Sequence, residues 1–208
     1  MTEYLVVFDV DSTLIEDEVI ELLAEVAGKR EEVAAVTERA MAGELDFAQS
    51  LIERVATLEG LPDSVFADVQ SRIKITQGAK ETIQAIQAAG GKVGAVSGGF
   101  NQLLRPLAQI LNLDYARANQ LEVVDGLLTG KVIGKIIDRT AKAQALSEWS
   151  ADSGLIRTVA VGDGANDLEM LATAELGVAF NAKPIVREKA DVVIEGLDLR
   201  ALLELLDV

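Results

Sequence analysis

Two aspartates separated by one residue provide the first candidate chemistry in the sequence. Asp9 and Asp11 lie in the run DVDST, at the end of an almost wholly apolar stretch, residues 5–10. Side chains two positions apart on an extended chain point to the same side, so both carboxyl groups can face one cavity. One could stay ionised and act as a nucleophile while the other, protonated, acts as general acid and base. The alternative is a pair that only caps the next helix.

Small and polar residues also follow the second apolar run of the chain. Ser97, Gly98 and Gly99 come directly after residues 92–96. A serine hydroxyl and glycine-permitted backbone amides can hold phosphate oxygens where a helix begins. Loop glycines often serve only to form turns, so this run needs support from elsewhere in the chain.

A third cluster, GDGAND, follows a third apolar run and places further oxygen-bearing side chains at a strand end. Mg²⁺ prefers oxygen ligands and keeps several of its waters. Asp163, Asp9 and the main-chain carbonyl of Asp11 would therefore be enough to hold this ion. The alternative is an acidic turn in which Asn166 caps a helix.

One lysine is a candidate for the positive charge that such a carboxylate cluster needs. Lys142 opens a predicted helix and could neutralise a phosphoryl group during its transfer. Most helical lysines are solvated surface residues, and Lys142 taken alone would be read as one of them.

The composition excludes several classes of function. A net charge of -15 and a pI near 4.4 argue against nucleic-acid and anionic-membrane partners, which the field of the protein would repel. Without Cys or His, the chain has no disulfides, no thiolate site and no histidine-based chemistry. We find no signal peptide or membrane span in the sequence and expect a cytoplasmic protein.

The elements that must position these residues alternate between strands and helices. Such alternation predicts an α/β fold with a doubly wound, Rossmann-like parallel sheet. Short apolar runs predict strands at residues 5–10, 92–96, 158–161, 177–180 and 191–194, and helical periodicity covers residues 79–89, 101–111, 141–149, 167–174 and 197–206.

Two segments interrupt the alternation. Residues 15–73 have helical apolar spacing throughout and predict a small helical bundle inserted after the first strand. Residues 119–137 contain Asp125-Gly126 between two apolar triplets, which predicts a β-hairpin flap with a type I′ turn. We therefore divide the chain into a core of residues 1–14 and 74–208 and a helical cap of residues 15–73.

In combination, the motifs resemble the haloacid dehalogenase superfamily. Its four ordered motifs are Asp-x-Asp-x-Thr, a Ser or Thr after the second strand, a Lys, and Gly-Asp-x-x-x-Asp. In this sequence they correspond to Asp9 with Asp11 and Thr13, then Ser97, then Lys142, and finally Gly162-Asp163 with Asp167. The resemblance covers the whole chain and implies a Mg²⁺-dependent phosphatase that forms an aspartyl-phosphate.

Within that superfamily the runs DVDST, SGGF and VGDGAND are similar to those of the phosphoserine phosphatases. The resemblance implies that Glu18 binds the substrate ammonium group, that Arg54 binds its carboxylate, and that Asn166, with Ser97 and Gly98, helps to bind phosphate. It also implies that Met41 and Phe47 close the cap over a small-molecule substrate, although packing within the bundle explains those two apolar residues equally well.

Two other functions stay open at this point. A relative could transfer the phosphoryl group to an acceptor alcohol such as homoserine, because water and alcohols attack the same acyl phosphate. A signalling receiver module also clusters Asp and Lys on such a sheet, but it has no helical insertion, and Asp11 would promote loss of its phosphoryl group. We expect a monomer or a homodimer.

Overall fold

The computed structural model describes residues 3–41 and 44–207, with the side chain of Met41 outside the described part. A sheet of seven strands in the order β4-β3-β2-β1-β5-β6-β7 forms its centre. All neighbouring pairs are parallel except β3 with β4. The strands are β1 Leu5–Phe8, β2 Lys92–Phe100, β3 Tyr115–Val124, β4 Leu127–Ile133, β5 Thr158–Gly162, β6 Leu176–Phe180 and β7 Val192–Ile194.

Helices cover both faces of the sheet, as the doubly wound prediction requires. The helices are α1 Val19–Val26, α2 Arg30–Met41, α3 Phe47–Ala56, α4 Val65–Gln70, α5 Ala79–Ala88, α6 Asn101–Leu111, α7 Arg139–Ser153, α8 Leu168–Thr173, α9 Pro184–Arg187 and α10 Ala201–Leu206. The predicted α/β fold class is therefore confirmed. Along the described stretches, none of the helices is long and apolar enough to cross a membrane.

Alternate residues of β1 pack against opposite layers. Val6 and Phe8 belong to a core cluster with residues of α5, α6, α10 and the cap, whereas Leu5 and Val7 belong to a second cluster with α7, α8 and α9. All four side chains are fully buried. A strand buried on both faces reads as a continuous apolar run, which explains why the sequence predicted it.

The strand β1 ends two residues earlier than predicted. Asp9 is still extended, and the chain then makes a wide turn at Val10–Leu14, which the Ile15 N–H closes by donating to the Val10 carbonyl at 3.0 Å. Ser12 within this turn has a φ of 57°. An apolar run cannot reveal such a turn, because Val10 is buried in the turn just as it would be in a strand.

The stretch predicted to be a helical bundle contains helices α1 to α4. An antiparallel bridge between Ile15 and Ile75 joins its two ends beside the core. All four helices lie within the residues 15–73 whose apolar spacing is helical. The division of the chain into core and cap at residues 14/15 and 73/74 stays a prediction.

The predicted hairpin is formed by β3 and β4, and it also contacts the cap. Asp125 and Gly126 both have positive φ, as a type I′ turn requires. The Gly60 N–H donates to the Leu128 carbonyl at 2.8 Å, and the Leu128 N–H donates to the Leu61 carbonyl at 2.8 Å. Backbone hydrogen bonds therefore tie the hairpin to the loop between α3 and α4.

Candidate active site

The candidate catalytic residues meet at the carboxyl ends of three adjacent strands, β2, β1 and β5. Asp9 follows β1, and its N–H donates to the Val161 carbonyl of β5 at 2.8 Å. Ser97 lies within β2, and Asp163 follows β5. Ligands of open α/β sheets bind at such strand ends, so the fold alone places these residues at one site.

A cavity of about 460 Å³ lies between this sheet edge and the cap. Among its lining residues are eight that the sequence analysis selected: Asp9, Asp11, Glu18, Phe47, Arg54, Gly98, Asp163 and Asn166. Ser97 and Lys142 are buried, at 2% and 0% exposure, beside the cavity rather than on its surface. The side chain of Met41 lies outside the described part of the structure, so its role stays a prediction.

Lys142 is a fully buried cation between two carboxylates. Its ammonium group donates to Asp9 and, at 2.7 Å, to Oδ1 of Asp167. Burial alone would lower the pKa of Lys142, but the charges of Asp167 and Asp9 outweigh it and raise the pKa above its ordinary value. The lysine is therefore charged. It is not a solvated surface residue, because these carboxylates take the place of its hydration shell.

The carboxylates at this end of the sheet need more positive charge than one lysine supplies. Oxygen atoms of Asp9, Asp163 and Asp167 all lie within 4.8 Å of one another, and the three residues are buried. Burial first, and then the charge of Asp167, raise the pKa of Asp9 to about 8 and that of Asp163 to about 6. A cluster of hard oxygen donors that resists ionisation in this way fits a divalent cation.

Asp11 has a different environment from Asp9 although it faces the same cavity. Burial, followed by the charges of Glu18 and Asp9, raises the pKa of Asp11 well above its ordinary value. Its Oδ1 is buried without a hydrogen-bond partner among the described residues. A carboxyl group in these surroundings holds its proton, as a general acid must.

Glu18 and Arg54 face the cavity from the cap. The Ser12 hydroxyl donates to Oε1 of Glu18 at 2.7 Å, which links the catalytic turn to the residue before α1. The Arg54 Nε donates to the Ser50 carbonyl of its own helix at 3.2 Å. Burial lowers the pKa of Arg54, while the nearby charges of Glu18 and Asp11 act to raise it. Carboxylate and guanidinium thus face one cavity, and each can pair with a ligand charge of opposite sign.

The run SGGF lies in irregular extended structure at the end of β2 and not in the predicted loop. The pairing of β2 with β3 shifts register between Val96 and Phe100. A Cβ at Gly98 would lie 2.9 Å from the Phe47 ring, and a Cβ at Gly99 would lie 2.6 Å from Val19. These glycines are therefore needed for close approach of the cap rather than for turn formation.

Three residues at the site had no assigned role in the sequence analysis. Asp167 accepts hydrogen bonds from Lys142 and, at 3.0 Å, from the Gly164 N–H. Its place in the last motif was the available signal. Arg139 and Lys183 also line the cavity, and the Lys183 ammonium group lies 4.0 Å from Oδ2 of Asp163. Neither basic residue belongs to a recognisable pattern, so only the fold brings them to this site.

The site and the fold together define a hydrolase class. The chain belongs to the haloacid dehalogenase-like hydrolase family, whose sequence model matches residues 6–172. It is similar to a Streptococcus thermophilus protein named phosphoserine phosphatase, with 54% identity over 205 residues, which cover 98% of this chain and 95% of that protein. Phosphoserine phosphatase SerB2 of Mycobacterium tuberculosis is 53% identical over 209 residues. The match spans 100% of this chain but 51% of the mycobacterial protein.

Solved structures give the same result. A structure described as a phospho-aspartyl intermediate analogue of phosphoserine phosphatase aligns over 99% of both chains, with a TM-score of 0.91 and 45% identity. A substrate-bound phosphoserine phosphatase complex also aligns over 99% of both chains, with a TM-score of 0.92 and 44% identity. The similarity therefore extends over both core and cap.

Proposed function

We propose that this protein hydrolyses O-phospho-L-serine to L-serine and inorganic phosphate through an aspartyl-phosphate on Asp9. The observation that carries this proposal is that Asp9 and Asp11, two carboxyl groups in different environments, line one cavity. Glu18 and Arg54 line the wall of the same cavity that the cap forms. The names of the similar proteins support the same substrate.

In the first half of the reaction, a carboxylate oxygen of Asp9 attacks phosphorus as the bond from phosphorus to the serine oxygen breaks. Asp11 gives its proton to the departing oxygen, so serine leaves as the neutral alcohol. In the second half, the Asp11 carboxylate takes a proton from water while the water oxygen attacks phosphorus. This step releases phosphate, restores the Asp9 carboxylate and returns the proton to Asp11.

Mg²⁺ is the cofactor that we propose for this site. Asp9, Asp163 and the main-chain carbonyl of Asp11 would hold it, and it would supply positive charge beside the transferring phosphoryl group. The Asp167 carboxylate is engaged by Lys142 and by the Gly164 N–H, so it orients the lysine and the metal-binding loop. Lys142 in turn holds Asp9 in place and balances part of its charge.

Phosphoserine carries an ammonium and a carboxylate group that a simple phosphomonoester lacks. We assign recognition of the ammonium group to Glu18 and of the carboxylate to Arg54, whose guanidinium can form two parallel hydrogen bonds. Ser97, Gly98 and Asn166 would bind the phosphate group. Phe47 lies against Gly98 and would cover the bound substrate, and Met41 keeps the same proposed role.

A panel of small phosphomonoesters tests this function. With Mg²⁺ present, we expect kcat/KM for phosphoserine to exceed that for phosphoethanolamine, phosphothreonine and a sugar phosphate. Phosphoethanolamine lacks the carboxylate, a sugar phosphate lacks both the carboxylate and the ammonium group, and phosphothreonine adds a methyl group beside the ester oxygen. Equal turnover of phosphoethanolamine would contradict the proposed substrate. Addition of homoserine separates hydrolysis from transfer, since a transferase would form phosphohomoserine in place of part of the free phosphate.

The proposed reaction is the step that yields free serine in serine biosynthesis, and we place it in the cytoplasm. A charge of -15 and the absence of Cys agree with that compartment and with the absence of nucleic-acid or membrane partners. For the assembly we propose a monomer or a homodimer, which light scattering on the purified protein would distinguish.

A further inference from the structure

Asn119 is a buried amide that contacts two separate parts of the site. It lies where β3 leaves its pairing with β2 and enters the hairpin. Its Nδ2 donates to the Gly98 carbonyl at 2.8 Å, and its Oδ1 accepts from the Ile137 N–H at 2.8 Å. Only 1% of the residue is exposed. Because a carbonyl can only accept and an N–H can only donate, these partners fix the orientation of the amide.

The bond to Gly98 restrains the peptide group between Gly98 and Gly99. The Gly98 carbonyl and the Gly99 N–H belong to the same planar peptide unit. Asn119 holds its carbonyl side, and its N–H side donates to the Ser97 Oγ at 2.7 Å. With this N–H bound to its oxygen, the Ser97 hydroxyl keeps its own proton for donation to another acceptor.

The bond to Ile137 connects the same amide to the helix that carries Lys142. Ile137 precedes Asp138, the N-cap of α7, whose carboxylate accepts from the Ala141 N–H at 2.8 Å. The Asn119 side chain therefore joins the Gly98–Gly99 peptide to the start of α7, the helix that carries Lys142. In the sequence, 21 positions separate Asn119 from Gly98 and 18 separate it from Ile137.

We infer that Asn119 is a positioning residue for phosphate binding, which sets the Ser97 hydroxyl and the Gly98–Gly99 peptide relative to Lys142. The inference rests on the proposed phosphatase function. It requires no contact between Asn119 and the substrate. A purely structural role would satisfy the same two backbone groups, but it would give the residue no particular effect on phosphate affinity.

The chain contains a matched control in Asn101. Its Nδ2 donates to the Ala118 carbonyl at 3.0 Å, and its Oδ1 accepts from the Ala118 N–H at 3.1 Å. Asn101 thus makes the same two kinds of bond, one donated and one accepted, but both fall on Ala118 of β3 and neither falls on Gly98. It is half-buried, so its replacement removes the same number of hydrogen bonds at a less buried position.

The test compares Asn119→Leu with Asn101→Leu in the full chain. Leucine has the branched shape of asparagine but is larger and cannot form hydrogen bonds, so it leaves both backbone partners unsatisfied. We expect Asn119→Leu to weaken inhibition by inorganic phosphate at least about fivefold, the lower end of the roughly 5- to 150-fold range for an unsatisfied buried group, and to lower kcat/KM for phosphoserine and p-nitrophenyl phosphate alike. Asn101→Leu should also lower Tm but should change the phosphate inhibition constant less than about twofold.

Equal effects of the two leucine variants on phosphate inhibition would overturn the inference, whatever their Tm values. If Asn119→Leu does not fold, Asn119→Ala and Asn101→Ala give the same comparison with a smaller side chain. Failure of both Asn119 variants to fold, with both Asn101 variants folded, would show a structural role and also overturn it. A wild-type enzyme that hydrolyses p-nitrophenyl phosphate but not phosphoserine would refute the proposed substrate and leave the role of Asn119 intact.

Discussion

Asp9 and Asp11 lie two positions apart in the chain and have different charged neighbours. The Lys142 ammonium group donates to Asp9, whereas Asp11 is buried next to the negative charge of Glu18. Burial and the charge of Asp167 raise the pKa of Asp9 to about 8, but Lys142 acts against this shift, and a divalent cation at the cluster would lower the pKa further, so that Asp9 ionises when the ion is bound. Burial and the charge of Glu18 keep the proton on Asp11. The two carboxyl groups can therefore perform different steps of one reaction, and single substitutions should separate them.

The Asp11→Asn variant should lose more activity on phosphoserine than on p-nitrophenyl phosphate. Serine leaves as a poor alkoxide that needs a proton, whereas p-nitrophenolate leaves without much protonation. General acid catalysis contributes roughly 10²- to 10⁴-fold, so steady-state rates with both substrates should show the difference. The control is Asp9→Asn, which removes the nucleophile and should abolish turnover of both. Equal losses in Asp11→Asn would indicate that Asp11 only supports the site.

The Arg54→Lys variant tests whether the cap recognises the substrate carboxylate through Arg54. Lysine keeps the charge but cannot form two parallel hydrogen bonds with a carboxylate. We expect kcat/KM for phosphoserine to fall at least roughly tenfold, since a charge-assisted hydrogen bond contributes about 1.5 to 3 kcal/mol. The kcat/KM for phosphoethanolamine should stay within about twofold, because that substrate has no carboxylate.

A matched control for Arg54 is Arg39, also on a cap helix. Its guanidinium pairs with Glu53 at 2.5 Å and with Glu44 at 3.4 Å, outside the cavity, and its side chain is 46% exposed. Arg39→Lys should leave both substrates unaffected. If Arg54→Lys lowered phosphoethanolamine turnover as much as phosphoserine turnover, Arg54 would be holding the cap in place rather than reading the carboxylate.

Among the structural elements, the contact between the hairpin and the cap gives a prediction on glycine substitutions. Gly126 and Gly130 both lie in the hairpin with positive φ, of 77° and 74°. A Cβ at Gly130 would lie 3.0 Å from Glu59 and 3.3 Å from the Ala56 backbone, whereas one at Gly126 would meet nothing within 4 Å. At both positions an alanine in the left-handed conformation costs about 1 to 2 kcal/mol of stability relative to glycine. Only at Gly130 does the added Cβ also collide with the end of α3.

We therefore expect Gly130→Ala to lower Tm more than Gly126→Ala. It should also raise KM for phosphoserine, because α3 carries Phe47 and Arg54. Thermal denaturation and steady-state kinetics on the two variants measure both effects. The same KM in both variants would mean that the hairpin does not influence substrate binding through the cap.

At the same scale, the sequence predicted the elements better than the contacts between them. The strands and helices of the core follow from apolar runs and helical periodicity, because each element buries a face whose pattern is local. The burial of Lys142 could not be predicted from periodicity, since its two carboxylate partners lie 133 and 25 positions away. The hydrogen bonds from the hairpin to Gly60 and Leu61 involve only backbone atoms and leave no mark on residue types.

For the whole molecule, the buried carboxylates make stability depend on pH and on metal. Burial raises the pKa of Asp9 to about 8 and that of Asp163 to about 6, from 3.8 in each case. Their contribution to the stability of the metal-free protein is fully present below about pH 4 and is lost as pH rises through 6 and then 8. A cation that binds the ionised carboxylates competes with these protons.

Saturating Mg²⁺ should consequently raise Tm more at pH 8 than at pH 6, because a ligand selective for the folded state stabilises it according to its affinity. Thermal scans with and without Mg²⁺ at the two pH values provide the measurement, and Asp163→Asn, which removes one proposed ligand, should abolish most of the increase. An increase in Tm that is the same at both pH values would show that the ion does not displace protons from these groups.

The central position of β1 also affects how the polypeptide folds. Leu5 pairs with Lys92 on one side and with Thr158 on the other. During synthesis β1 is made well before either of its hydrogen-bonding partners, and contacts of such long sequence separation form slowly. Until then the four consecutive apolar residues of β1 have unpaired backbone groups on both edges, and they can associate with other chains. The strand that leads to Asp9 is thus a segment of the nascent chain whose protection by a chaperone would favour correct folding.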